Sequence, residues 1–316
     1  MRISLLFLLF FGQMSASAQQ RYAFAHKQMG TEFRIVLFTE KDSATATALA
    51  QRSFAYVDTL NQIFSDYIPD SDLSRLSDQA GNGQKNRVHP ELYNILRLAK
   101  GYSDASDGAF DVTVGALTRL WRKARHLKQP PDSAQVQKAL ATVGYQHLQL
   151  FRGHRVRLAR PGTRLDLGGI AQGYAADQCL ALLRQNGIPC ALVDAGGDIA
   201  LGDAPPGSAG WAIQLPRRNP DGVTTYETIW LARCGITTSG ASYRYLEANG
   251  VRYSHIVNPR TGWGMTHNYL VTVQATNAVT ADAWATALSV QGWDRAQQKK
   301  ARKQGVLNVW QVAEKI

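Results

Sequence analysis

Apolar residues recur at every second position in EFRIVLF (32–38), the period of a half-buried strand, and at every third or fourth in SATATALAQRSFAYVDTLNQIF (43–64), the period of an amphipathic helix. The serine opening the second stretch is the expected helix cap. PELYNILRLAKGYSDAS (90–106) repeats the helical spacing, whereas SDYIPDSDLSRLSDQAGNGQ (65–84) is rich in Ser, Asp, Gly and Pro and reads as a loop. RVRLA (155–159) and RLDLG (164–168) read as strands split by the Pro161-Gly162 turn, and IAQGYAADQCLALLRQNG (170–187) as a helix closed by Gly187. CALVDAGGDIALG (190–202) suggests two strands about a glycine-rich turn. GWAIQLP (210–216), GVRYSHIVNP (250–259) and YLVTVQAT (269–276) add β structure before a helix in TADAWATALSVQG (280–292). Strands outnumber what βαβ alternation gives, so the expected fold class is α+β, with mixed, largely antiparallel sheets and packed helices in a single domain.

The opening residues MRISLLFLLFFGQMSASAQQ hold one basic residue, an apolar run from Leu5 to Phe11 and an Ala16-Ser17-Ala18 cleavage signal. That order predicts a signal peptide over 1–18, an exported and soluble domain over 19–316, and a periplasmic or other extracytoplasmic location. The apolar run is too short for a stable transmembrane segment, which takes about 18 apolar residues or more. No cysteine stands near the cut to carry a lipid. The three cysteines, Cys179, Cys190 and Cys234, show no C-x-x-C spacing and predict neither a disulfide framework nor a zinc site. A formal charge of +11 invites anionic partners, but RLWRKARHLK (119–128) and DRAQQKKARK (294–303) read as solvated helix faces. No nucleic-acid motif accompanies them, so nucleic acid is not an expected partner.

The helix at 280–292 sets Asp282 and Thr286 one turn apart on one face. A carboxylate and a hydroxyl so placed suit a hard divalent cation. The same aspartate near a helix start also suits a cap or dipole partner, with Thr280 competing as the N-cap. In LDLGG (165–169), an aspartate at a buried strand end precedes two glycines that allow close approach of a ligand to the backbone. The spacing is not G-x-G-x-x-G, and no P-loop occurs, which disfavours a Rossmann fold or an ordinary nucleoside triphosphatase. Asp194 and Asp198 bracket a further glycine turn. His255 lies in a strand-like stretch ending at Asn258-Pro259, where it is either a satisfied structural residue or a proton acceptor beside a phosphate. A nucleophile elbow and H-E-x-x-H are both absent.

In their shared order, MGTEFRIVLF, SDYIPDSDLSRL, SDGAFDVTVGALTRLW, LDLGGIAQGYAAD, LVDAGGDIALG, TTSGASYRY, HIVNPRTG and ADAWATALSVQG resemble the ApbE family of FAD:protein FMN transferases. The resemblance spans Met29 to Gly292. It implies a magnesium-dependent enzyme that transfers the FMN half of FAD to a Thr or Ser hydroxyl of flavoprotein subunits in membrane redox complexes, with AMP leaving. By the same resemblance, Met29, Tyr67, Ala109, Phe110, Asp111, Asp166, Gln172 and Val257 are FAD contacts. Gly169, Asp282 and Thr286 hold Mg2+, Gly169 through its carbonyl, and His255 is the expected base beside the catalytic Asp282. Three positions depart from the pattern: Gln172 replaces a charged residue, Ala285 an acid found in some members, and Asn258 the acid of HI-x-D-P. Two other readings accommodate the same motifs: a pyrophosphatase that hydrolyses FAD to FMN and AMP, and an FAD-binding protein without turnover.

Overall fold

A computed structural model describes residues 19–219, 223–240, 244–267 and 269–313; the expected leader at 1–18 and part of the TTSGASYRY stretch lie outside the described residues. The chain begins with a hairpin of β1 (Gln20–Gln28) and β2 (Thr31–Thr39), followed by α1 (Ser43–Phe64), α2 (Asp72–Asp78) and the short β3 (Asn86–Arg87). Next come α3 (Pro90–Ala105), α4 (Gly115–Leu127), α5 (Ser133–Leu140), β4 (Leu148–Phe151), β5 (Arg155–Leu158) and α6 (Ala171–Gln185). Then β6 (Ala191–Ala195), β7 (Asp198–Leu201), β8 (Trp211–Arg218), β9 (Thr224–Leu231), β10 (Cys234–Ser239), β11 (Tyr245–Ala248) and β12 (Val251–Ser254) follow. The remainder is β13 (Tyr269–Ala275), α7 (Ala278–Gln291), α8 (Arg295–Lys303) and β14 (Val306–Ala313).

Seven strands form one sheet in the order β1-β2-β6-β7-β10-β13-β14, every neighbouring pair antiparallel. The alternation in β2 divides its side chains between two cores. Phe33, Ile35 and Leu37 join the main core with α1 and α6, while Val36 and Phe38 meet Trp211 and Ile213 from the β8–β9 hairpin on the opposite face. Helix α7 is buried nearly all round, and its alanines let it pack against α6 as well as β10 and β13. The α6–α7 contact is closest at Gly173, where an added Cβ would stand 2.6 Å from the Ala278 carbonyl oxygen and 2.9 Å from Cβ of Asp282. Gly173→Ala is therefore expected to cost about 2 kcal/mol by overpacking and to lower the thermal midpoint by several degrees. An unchanged midpoint would show that the two helices separate freely.

Several boundaries differ from the sequence reading. The 65–84 segment contains α2, whose cap is Ser71 accepting from the Ser74 amide at 3.0 Å. RLDLG is not a sheet strand: it makes one parallel bridge, Arg164 to Val114, and its Asp166 amide donates to the Val112 carbonyl. Asp42, not Ser43, caps α1, and Asn277, not Thr280, caps α7, because in each case the residue just before the helix holds the extended conformation that aims an oxygen at the third amide. His255 lies one residue beyond β12. The three cysteines are buried and free, as their spacing predicts. Among the described residues no helix is long and apolar enough to cross a membrane.

Candidate active site

The segment from Asp166 to Gly173 joins two groups of polar side chains. At its C-terminal end, α6 begins without a side-chain cap of its own. Instead the Gly173 amide donates to Oδ2 of Asp282 from α7, 3.2 Å away. Gly169 lies against the other member of the helical pair, since a Cβ there would stand 2.8 Å from Oγ1 of Thr286. The structure thus brings Gly169, Asp282 and Thr286 together. Thr280 serves elsewhere, with its hydroxyl 2.8 Å from that of Tyr102.

Asp282 is 4% exposed. Burial first, and then the Asp198 and Asp177 carboxylates, hold its carboxyl well above the ordinary range, against the pull of the Gly173 amide. Burial raises Asp198 to about 7 and Asp177 to about 6, although Asp177 accepts from the Ala278 and Val279 amides at the start of α7. No lysine or arginine among the described residues pairs with any of the three. Desolvated negative charge of this kind favours a cation. No group of three or more His, Cys, Asp or Glu side chains is arranged as a metal cage among the described residues. The donors that fit are therefore one carboxylate, one hydroxyl and one carbonyl, the sparse oxygen set magnesium takes when water and phosphate complete its shell.

The N-terminal end of the segment faces aromatic and basic groups. Both oxygens of Asp166 are engaged: Oδ1 accepts from the Gly168 amide at 2.7 Å, and Oδ2 lies 3.7 Å from Nη2 of Arg122. Arg122 also pairs with Asp66 and stacks over the Tyr67 ring at 4.2 Å. Tyr67 is 71% exposed, leaving an aromatic face open. Of the basic stretch at 119–128, Lys123 and Lys128 are solvated as the sequence suggests, but Arg122 and Arg125 are half-buried and turn toward this site. Their three-residue spacing was the available signal. Sequence reasoning also missed Asp66, Asp177 and the coupling of Asp198 to Asp282.

His255 is fixed through its backbone neighbours. Its amide donates to the Arg244 carbonyl at 2.9 Å, and Nδ1 lies 3.2 Å from the same oxygen. A carbonyl only accepts, so Nδ1 carries the hydrogen and Nε2 is the free base. Burial, followed by Arg125, lowers the imidazole to about 4. The segment after His255 is clamped on α4 by the Trp121 indole, which donates to the Gly262 carbonyl at 2.9 Å. Asn258, the departure from the family acid, accepts from the Arg260 amide at 2.9 Å, a task an amide oxygen performs as a carboxylate does. Val257 points into the small core with Leu117 and Trp121, so only its backbone is placed to meet a ligand.

Gln172 donates to the Met29 carbonyl at 3.2 Å. Met29 and Gly30 form the two-residue β1–β2 turn with φ of 52° and 72°, a hairpin geometry costing a non-glycine residue about 1 kcal/mol. A second hydrogen bond, from the Met29 amide to its neighbour Gln28, secures the strained residue. Ala109 and Phe110 are buried in the main core, just before the 112–114 stretch that pairs with 164–166. Asp111 is also buried; its Oδ1 accepts from Thr113 and its Oδ2 from the Tyr145 amide, so its carboxylate organises that loop.

A cation-favouring oxygen set at one end of a helix-starting segment, and a group of aromatic and arginine side chains at the other, suit an anionic, ring-bearing ligand. The chain belongs to the ApbE family, whose model matches residues 29–310. A Treponema pallidum protein named FAD:protein FMN transferase is 31% identical over 313 residues, covering 93% of this chain and 86% of its own length. A Klebsiella pneumoniae protein of the same name is 35% identical, covering 89% and 81%. Among solved structures, the Pseudomonas stutzeri flavinyl transferase ApbE in its apo form superposes with a TM-score of 0.82 at 27% identity, covering 96% of this chain and 94% of that one.

Proposed function

We infer that this chain is a FAD:protein FMN transferase, exported from the cytoplasm, which moves the FMN moiety of FAD onto a Thr or Ser hydroxyl of flavoprotein subunits in membrane redox complexes and releases AMP. The observation that carries the reading is the Asp166–Gly173 segment, which ties the Asp282–Thr286–Gly169 oxygen set to Arg122 and the Tyr67 ring it stacks on. Asp282, Thr286 and the Gly169 carbonyl would hold Mg2+, which when bound neutralises diphosphate charge. Tyr67 offers its open face to an aromatic ring, and Gln172 holds the Met29 turn against the ligand.

Phosphoryl transfer rests mainly on positioning and charge stabilisation. The acceptor oxygen attacks the FMN-side phosphorus, the bridging P–O bond breaks, and AMP leaves with the electron pair. The acceptor proton goes to Nε2 of His255, the nitrogen left free by the Arg244 carbonyl. The test is incubation with FAD, magnesium and a candidate acceptor subunit, followed by mass spectrometry of the acceptor and assay of AMP. Covalent FMN with an equal yield of AMP is expected. Free FMN and AMP without labelled acceptor would make the protein a hydrolase, and intact FAD would make it a binding protein.

A further inference from the structure

Helix α4 presents Arg119, Arg122 and Arg125 at three-residue intervals, but only the first two are neutralised. Arg122 pairs with Asp66 and approaches Asp166, and Arg119 reaches the Asp66 carbonyl at 3.0 Å and its carboxylate at 3.7 Å. Arg125 has no acidic partner among the described residues although its side chain is half withdrawn from water. Burial, and after it the charges of Arg122 and Arg244, weakens its hold on its proton, with the Tyr67 hydroxyl acting in the opposite sense. Arg244 immediately precedes β11. Its carbonyl holds His255, and its Nη2 lies 3.9 Å from where a Cβ on Gly30 would stand, beside the Met29 turn. It too lacks an acidic partner among the described residues.

Arg125 stands one turn along α4 from the Arg122 that stacks on Tyr67, and Arg244 turns its carbonyl to His255 and its guanidinium to the Met29 turn; from this placement we propose that Arg125 and Arg244 clamp the diphosphate of the bound dinucleotide. The inference rests on the transferase reading for the ligand's identity and adds residues that grip its charge beyond the Asp282 oxygen set. Arg125 is half-buried and Arg244 exposed, and neither has an acidic partner among the described residues, so an anion reaching both gains from two unpaired charges. The planar guanidinium fork matches phosphate oxygens in pairs, and each such charge-assisted bond is stronger than a neutral one. Burial, and after it these two cations, disfavour protonation of His255. In the reaction they face the charge that collects on the departing AMP phosphate.

The clamp is tested by titrating the full chain, without magnesium, with FAD and with riboflavin, which shares the ring and lacks phosphate. Arg125→Gln and Arg244→Gln are each expected to raise the Kd for FAD about tenfold and to leave that for riboflavin within about twofold. Arg125→Lys should recover part of the loss, and because Arg125 has no partner to lose, the thermal midpoint of Arg125→Gln should not fall. On the unaltered chain, added sodium chloride should weaken FAD and leave riboflavin unmoved. FAD affinity that survives both substitutions, or FAD and riboflavin weakened alike, overturns the clamp. Failure to label any acceptor while the FAD-specific losses persist would sink the transferase reading and leave the clamp standing; normal labelling with no FAD-specific loss would do the reverse.

Discussion

The Asp282→Asn protein is expected to transfer FMN about a thousandfold more slowly than the unaltered chain at saturating FAD, because a charge-stabilising group worth several kcal/mol in the transition state is removed. Asparagine keeps an oxygen that accepts from the Gly173 amide, so the start of α6 retains its cap and the fold survives. Its stability should respond in the opposite direction to its activity. A carboxyl held above its unfolded value contributes stability below about pH 4 and loses it as pH rises through the folded value. The metal-free protein should therefore lose stability between about pH 4 and the region near 6 and 7 where Asp177 and Asp198 titrate. Asp282→Asn removes one of the three contributors, should raise the midpoint at pH 8, and should abolish the stabilisation expected of magnesium on the unaltered chain. Transfer within tenfold of normal, or an undiminished magnesium-induced shift, would end the case for Asp282 as a cation ligand.

The legible part of this site was the part fixed by local periodicity. Asp282 and Thr286 share a helix face because helical geometry leaves no alternative. The order of motifs named the family where no single motif did. What stayed hidden depends on contacts between segments far apart in the chain. Asp282 faces Gly173 across a helix crossing more than a hundred residues away in sequence, and it is this crossing that makes a metal candidate double as a helix cap. RLDLG has the composition of a strand, but α4 starts so close to it that a Cβ on Gly115 would stand 2.7 Å from the Arg164 carbonyl oxygen, and sheet pairing is replaced by a single bridge. The basic run on α4 looked solvated because charge counting cannot say which arginines turn inward; Tyr67 and Asp66, brought over from the α1–α2 connection, decide it.

The electrostatic layout divides the labour along the Asp166–Gly173 segment. Three buried carboxyls, Asp282, Asp198 and Asp177, belong to its C-terminal end, each held above its ordinary value, and two arginines without an acidic partner among the described residues, Arg125 and Arg244, belong to the His255 side. The buried carboxyls give up their protons more readily when a cation joins them. A divalent cation and a diphosphate, bound together, complete both, so the two ligands should bind with positive cooperativity, each strengthening the other by the same factor.

Replacing His255 by alanine is expected to slow transfer by about a hundred- to ten-thousandfold at saturating FAD and magnesium, the range for loss of a general base. The pH profile tests the environment as well as the residue. With burial, Arg125 and Arg244 holding the free imidazole at about 4, kcat/KM should stay level from pH 8 down to about 5 as far as this group is concerned. An ordinary histidine would begin to fail near 6.5. Once the diphosphate sits between the two arginines their charge is offset, the imidazole rises, and kcat falls at a higher pH than kcat/KM. Stability carries the same signature: a histidine lowered on folding contributes in full above about pH 6.5 and loses that contribution as pH drops toward its folded value. The unaltered chain should therefore lose thermal stability relative to His255→Ala on acidification through that window. A kcat/KM limb at 6.5 would place the imidazole in open solvent, and an undiminished rate in His255→Ala would assign the acceptor's proton to another group.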